Sequence, residues 1–282
     1  LLRSLKFVGY GSSYSQTNYV TVKDEESKMA VLTEKQIKYG FDYYHKDDAR
    51  PKSVVEVSEY DGKDKLIINC TQLDENYSAK DKKRILQEWC SFLLENPDAF
   101  IELMFCTRMP QDLFDAVCTQ RKLKKLHIKW GVYPDISKLE NLQELEYLHI
   151  GSGRSVSSLE PISKLENLVA LSIENFQKID DYTPLTHLKY LESLALEGDF
   201  AAPKILKVQS LGFLRHMKQL RFFSFLTAKE IDKDYSPVLE LHNLEHLTLK
   251  SCKEVKQLYP QLIKLPKLKY GTVLERPELY EK

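Results

Sequence analysis

The sequence is short of what most catalytic and nucleic-acid-binding proteins need. Ten glycines in 282 residues are spread too thinly for a phosphate cradle, and neither GxGxxG nor GxxxxGK[ST] occurs. The Gly151–Ser155 stretch "GSGRS" lacks the helix start and lysine of a phosphate loop and reads as a turn. Charge of one sign is missing too. Forty-one lysines and arginines cancel 41 aspartates and glutamates, and the balance stays near zero on either side of residue 122. No positive field is left to hold nucleic acid or an anionic membrane. No run approaches the roughly 18 consecutive apolar residues of a membrane span. The five cysteines, Cys70, Cys90, Cys106, Cys118 and Cys252, are odd in number, scattered, and form no CxxC pair. Reduced, mostly buried thiols are expected, which favours the cytoplasm. Export is the alternative, because the chain begins at Leu1 and "NCT" at Asn69 and "NYS" at Asn76 match the glycosylation pattern.

What the chain has is repetition, together with 43% hydrophobic residues, enough to bury a core. The phrase "LEYLHI" at Leu145 has counterparts in "LKKLHI" at 123, "LVALSI" at 168, "LESLAL" at 191, "LRFFSF" at 220, "LEHLTL" at 244 and a decayed "LKYGTV" at 268. The spacings are 22, 23, 23, 29, 24 and 24 residues, and "FIELMF" at Phe100 extends the series backwards. Positions one, four and six of the phrase cannot all face one side of a regular strand. A short strand over positions three to five with its middle residue inward, flanked by turns, reconciles them. Such a unit is too small to bury its own apolar face; stacked in parallel, successive units bury one another. Leu148, Leu171 and Leu194 are then equivalent core residues. The period and the leucine pattern resemble leucine-rich repeat proteins of bacterial type over about residues 100 to 275.

The second half of each unit steps in threes, as in Ile136, Leu139 and Leu142 or Leu185, Leu188 and Leu191, with Pro161, Pro184 and Pro237 just ahead of the first apolar position. Short helices or 3₁₀ turns are expected on the outer face. The asparagine or cysteine that the resemblance implies three residues past position six is matched only by Cys252, and Asn175 sits one residue early. Between Leu196 and Leu211 about six extra residues, with Phe200, Ile205 and Val208, form an insertion at the sheet's edge.

The expected fold is α/β: a leucine-rich repeat solenoid over 100–282, with a parallel inner sheet and a short helical or 3₁₀ outer face. A small N-terminal α+β cap or adaptor region over 1–99 precedes it. Within that region "SVVEVSEYDGKDKLIIN" reads as a hairpin turning near Asp61-Gly62. "SAKDKKRILQEWCSFLLENP" reads as an amphipathic helix capped by Ser78, with Ile85, Leu86, Trp89, Phe92 and Leu93 on one face, covering the first end of the solenoid. Residues 1–55, with six tyrosines, give no assignable pattern.

Chemistry is hard to find. Seven histidines form no HExxH, the Cys/His spacings match no zinc pattern, and GxSxG is absent. His242 and His246 fall on different parts of one unit, and Asp47-Asp48 and Asp180-Asp181 read as solvated turns. No catalytic, cofactor-binding or metal-binding residue emerges. The inner face remains. Position five makes a column through His127, His149, Ser172 and Ala195, and position three a second through Tyr147, Ala170, Ser193, Phe222, His246 and Tyr270. Small residues walled by aromatics form a trough, with Glu174 and Glu197 side by side at position seven. Exposed aromatics around a recess suit a protein interface. The expected partner-binding residues are Tyr147, His149, Glu174, Glu197, Phe222, His246 and Tyr270. The expected partner is a protein with a basic group near the two glutamates, with neither nucleic acid nor membrane as partner. The expected function is non-enzymatic protein binding on the concave face. The alternatives are an adaptor whose N-terminal region recruits a second protein, and an enzyme of unrecognised type in residues 1–99.

Overall fold

Each copy of the phrase forms one short strand, and the strands stack in phrase order. The computed structural model describes residues 31–43, 49–199 and 204–281. Tyr10, Tyr14, Tyr19, Tyr44, Asp47-Asp48 and Phe200 lie outside the described residues. Among the described residues nine strands make one sheet: β1 Lys52–Val54, β2 Lys65–Ile68, β3 Glu102–Phe105, β4 Lys125–Ile128, β5 Tyr147–Ile150, β6 Ala170–Glu174, β7 Ser193–Glu197, β8 Phe222–Phe225 and β9 His246–Leu249. Every neighbouring pair is parallel. Leu126, Leu148, Leu171, Leu194, Phe223 and Leu247 line up across the sheet as the register expected, and all are fully buried.

Parallel pairing forces the chain to return to the same end after each strand, which the outer segments do. Ser137–Asn141, Thr183–His187, Gly212–His216 and Ser236–Glu240 are 3₁₀ turns, and Glu160–Ser163 is a single α-turn. Pro161, Pro184 and Pro237 each lie in the first turn, where a missing N–H costs nothing. Their leucines fill the core between sheet and outer layer. This is a leucine-rich repeat solenoid.

The front of the chain differs from the sequence reading. β1 and β2 are parallel, not a hairpin. A 3₁₀ turn at Val57–Glu59 and a bend at Gly62, whose φ is 84°, carry the chain back before β2 begins. Helix α2, Ala79–Glu95, has the expected Ser78 cap, reciprocated by Asp81. It is the outer element of a long unit between β2 and β3, not a lid on the sheet's first edge. Ile85, Trp89 and Leu93 enter the same core as Leu66 and Leu103, and the Trp89 indole donates to the Val55 carbonyl at 2.8 Å. The expected boundary at 99/100 thus falls inside a continuous sheet and core. A seven-residue helix, α3 Gln111–Val117, packs beside α2.

The last unit decays for a backbone reason. Gly271 has φ 97°, and a Cβ there would meet the Leu247 carbonyl oxygen at 2.2 Å. The chain pairs once at Tyr270, then turns into the helix Thr272–Glu275, so the position-three column ends at that single bridge. Part of the insertion, Leu206–Val208, forms a separate parallel ribbon with Ala228–Glu230 and buries Leu206 and Val208. At one place where the resemblance implies an asparagine, Phe176 fills the interior beside Gly153, where a Cβ would collide with its ring.

Candidate functional site

The two small residues of the position-three column, Ala170 and Ser193, lie between Tyr147 and Phe222 in lateral register and leave a hollow on the concave sheet. That hollow is filled by residues 31–43 of the same chain. Thr33 and Gln36 form a capping box that starts helix α1, Glu34–Tyr39, and Gly40 ends it with φ 87°. Spacings of five and four place Leu32, Ile37 and Phe41 on the sheet-facing side, where all three are buried. They pack with Val169, Ala170 and Phe222 into a hydrophobic cluster separate from the main core, with Tyr147, Ala195 and Tyr270 around it. Burying each such side chain contributes roughly 1.5–3 kcal/mol. Ordering the backbone of a segment costs roughly 1–2 kcal/mol per residue. The polar ties therefore decide how firmly the segment is held.

Those ties lie at both ends. The Leu32 N–H donates to Glu192 Oε2 at 3.1 Å and its carbonyl accepts from Arg221 Nη1 at 3.3 Å. Arg221 is itself fixed between Glu192 at 2.9 Å and Glu245 at 2.7 Å, and Lys269 reaches Glu245 at 2.9 Å. This row of alternating charge runs along position two of successive units and grips backbone atoms, so it is indifferent to the side chain presented. The Tyr270 hydroxyl donates to Glu34 Oε1 at 2.7 Å.

At the other end Asp42 enters between two strands. Its Oδ1 lies 3.3 Å from His127 Nδ1 and its Oδ2 lies 3.0 Å from His149 Nδ1. The imidazoles come from lateral partners on β4 and β5 and stack at 4.3 Å and 10°. Burial alone pushes the Asp42 carboxyl up, but the two imidazoles override it and hold it well below the usual carboxylate range. Burial pushes His149 down, but the charge and hydrogen bond of Asp42, together with the Glu174 charge, outweigh it, and His149 ends above its ordinary value. For His127 burial wins over the Asp42 contact, and the value falls.

Asp42, His127 and His149 offer ligand atoms within 4.8 Å of one another, a set that suits a divalent ion by donor type. Near-parallel stacked rings, however, send their Nδ1 lone pairs side by side instead of onto a common point. Ser172 Oγ also lies 2.9 Å from His149, which suggests a Ser-His-Asp arrangement. Both Ser172 and Asp42 meet the same nitrogen, Nδ1, whereas a relay needs them on opposite nitrogens. What remains is a hydrogen-bonded clasp.

The residues singled out from the sequence fall around this segment. Phe222, expected to be an exposed anchor, is only 8% exposed, because the segment covers it. Tyr147 is half-buried, its ring 6.1 Å from that of Phe41. His246 is buried, 4.2 Å from the Phe222 ring, with Nε2 3.0 Å from Thr248 Oγ1. His149 is in the clasp and Tyr270 holds α1. Glu174 and Glu197 are lateral neighbours as expected. The Glu197 carboxylate is taken by the Ser224 and Thr227 hydroxyls and by the Thr227 N–H at 2.8 Å. It is an internal acceptor, not a group awaiting a cation. From the sequence, His127 falls in the inner column without counting as partner-binding, and Asp42, Glu192 and Arg221 are missed. The signal for the segment was present in "LTEKQIKYGFD", a capping box followed by helically spaced apolar residues.

No family model matches the chain, and no curated protein does. Among solved structures it is similar to an internalin, inlF, from Listeria monocytogenes, with 19% identity over 62% of this chain and 54% of that one and a TM-score of 0.48. Internalin C2 from the same organism gives 20% identity, 62% and 71% coverage and a TM-score of 0.47. The leucine-rich repeat ectodomain of the Arabidopsis receptor kinase HAESA, in complex with an IDA peptide hormone ligand, gives 17% identity, 54% and 30% coverage and 0.38. The chain spans about half the length of the inlF structure. Likenesses this distant concern the fold only, and the fold rests on the strand register above.

Proposed function

We propose that this leucine-rich repeat solenoid is a non-enzymatic module whose concave sheet holds a short stretch of a partner protein. The carrying observation is that the concave face already holds a polypeptide segment by three apolar side chains, a backbone grip at Leu32 and a carboxylate between two histidines. A surface with that complementarity to its own chain has the chemistry to hold another. Tyr147, His149, Phe222, His246 and Tyr270 belong to the seat, joined by His127 and Arg221. Glu174 and Glu197 border it, but with Glu197 satisfied internally the reading rests on the histidine end and not on a basic group of the partner. The cancelled charge weighs against nucleic acid and anionic membrane as partners, and no described helix is long and apolar enough to cross a membrane.

The enzyme alternative finds little support, since residues 52–99 supply strands and outer layer. A reducing compartment suits the five free thiols. Burial pushes Cys70 up to about 12 and Cys90 up to about 11, values that leave little reactive thiolate.

Site-specific photo-crosslinking in the cells that make the protein tests the reading. A photoreactive residue at Ala195, on the concave face, should yield a discrete protein adduct, and one at Tyr190, exposed on the outer side, should not. Adducts from Tyr190 alone would contradict concave-face binding.

A further inference from the structure

The main core lies between the sheet and the outer layer, whereas Leu32, Ile37 and Phe41 belong to a second cluster on the opposite side of the sheet. Lifting the segment away would expose Phe222 and Ala170 but would leave the leucine core intact. It would also leave two stacked imidazoles with no carboxylate between them, and the Arg221–Glu192 pair with a free donor and acceptor facing the groove. An occupant must therefore meet three separate demands. An apolar face must fill the Ala170 hollow, a carboxylate must enter between His127 and His149, and an open backbone N–H and C=O must lie beside Arg221.

We infer that residues 31–43 are a built-in occupant of the partner site, and that the partner is a protein segment that copies their chemistry and displaces them. The copied features are one short helical turn, apolar residues at the positions of Leu32, Ile37 and Phe41, and an acidic residue directly after the last. This rests on the concave-face reading and adds the partner's recognition pattern and the competition. Geometry selects the acid: the two carboxylate oxygens of Asp42 reach the paired Nδ1 atoms of His127 and His149 at 3.3 and 3.0 Å, a two-pronged contact that no single cationic nitrogen reproduces. Shape selects the aliphatic side chain, because Ala170 and Ser193 leave room that Phe222 and Tyr147 bound on either side. Short α1, six residues long, has its register set by a local capping box, so a synthetic peptide can form the same turn on the surface.

The test uses the full chain and a fluorescent synthetic peptide of residues 31–43 as probe. The segment is loosened in two independent variants, Phe41→Ala and Asp42→Asn, each checked for an unchanged unfolding transition of the solenoid. The peptide should bind the loosened chains about tenfold or more tighter than the wild type, whose seat is filled, and an Asp42→Ala peptide should lose about tenfold. The Ala195 photo-adduct should increase in the loosened chains and fall when unlabelled peptide is added. Failure of the peptide to bind either loosened chain overturns the inference. So does an Ala195 adduct indifferent to loosening and to peptide, an outcome that leaves concave-face binding standing, whereas absence of any Ala195 adduct removes concave-face binding itself. A concentration-dependent dimer of the wild type, dissolved by the peptide, would make a second copy the occupant and overturn the foreign partner.

Discussion

Asp42 and His149 meet at 3.0 Å, joining a segment that precedes the first strand of the sheet to the middle of that sheet. The contact is the polar half of an arrangement in which a repeat protein's concave face is closed by its own chain. Asp42→Asn removes the charge and keeps the shape. Backbone amides of 34–39 should exchange much faster while those of the strands do not change. Removing one partner of a partly buried charged hydrogen bond typically costs about 1–3 kcal/mol, here drawn from the segment's docking and not from the solenoid's unfolding. Equal acceleration in β6 and β7 would show that the segment and the solenoid unfold together.

The clasp should respond to pH in both directions. His149 sits above its ordinary 6.5, so its contribution is complete below that value and is lost as pH rises through the raised one. His127 sits below 6.5, so its contribution is complete above that value and is lost as pH falls through the lowered one. Asp42 acts in the same sense as His127, but only below its ordinary 3.8. Docking should peak near neutral pH, with Glu174 assisting His149 and Lys125 opposing His127. The intensity of the docked Ile37 methyl signal in NMR across about pH 5 to 9 reads this directly. A flat profile would mean that the histidines do not hold the segment.

The inner column should behave quite differently. Leu148→Ala, Leu171→Ala and Leu194→Ala each open a cavity in the main core and should lower unfolding stability by roughly 2–5 kcal/mol in denaturant titrations. Phe41→Ala, on the other cluster, should leave the solenoid's midpoint nearly unchanged. Losses below about 1 kcal/mol at all three leucines would contradict the register.

Gly271→Ala tests why the sheet stops. The left-handed φ and the Leu247 carbonyl 2.2 Å from an added Cβ make the substitution strained, with an expected loss of about 1–3 kcal/mol and fraying of β9 in amide exchange. A neutral effect would show that the terminal turn relaxes freely.

How far the sequence carried the fold follows from physics. The lateral alignment of Leu148, Leu171 and Leu194 was legible because each unit repeats the same burial problem with the same residue types. β1, β2 and α2 resemble a hairpin and a cap at the level of sequence because their unit runs from Leu66 to Leu103, with a helix too long for the 23-residue rhythm. Periodicity cannot show whether two β-rich runs pair in parallel or antiparallel fashion. At the site, Tyr147 and Phe222 were legible as the walls of a recess, but their covering was not. The contacts of Asp42 with His127 and of Leu32 with Glu192 join residues 85 and 160 positions apart, and no local pattern encodes such a meeting.

The most direct measurement of the central claim is hydrogen–deuterium exchange on the full-length protein with and without the partner recovered through the Ala195 adduct. The account predicts that partner addition deprotects amides 34–39 and protects 170–174 and 193–197, the strands beneath them. Unchanged exchange in both the segment and those strands, with protection appearing only on the outer turns, would contradict it.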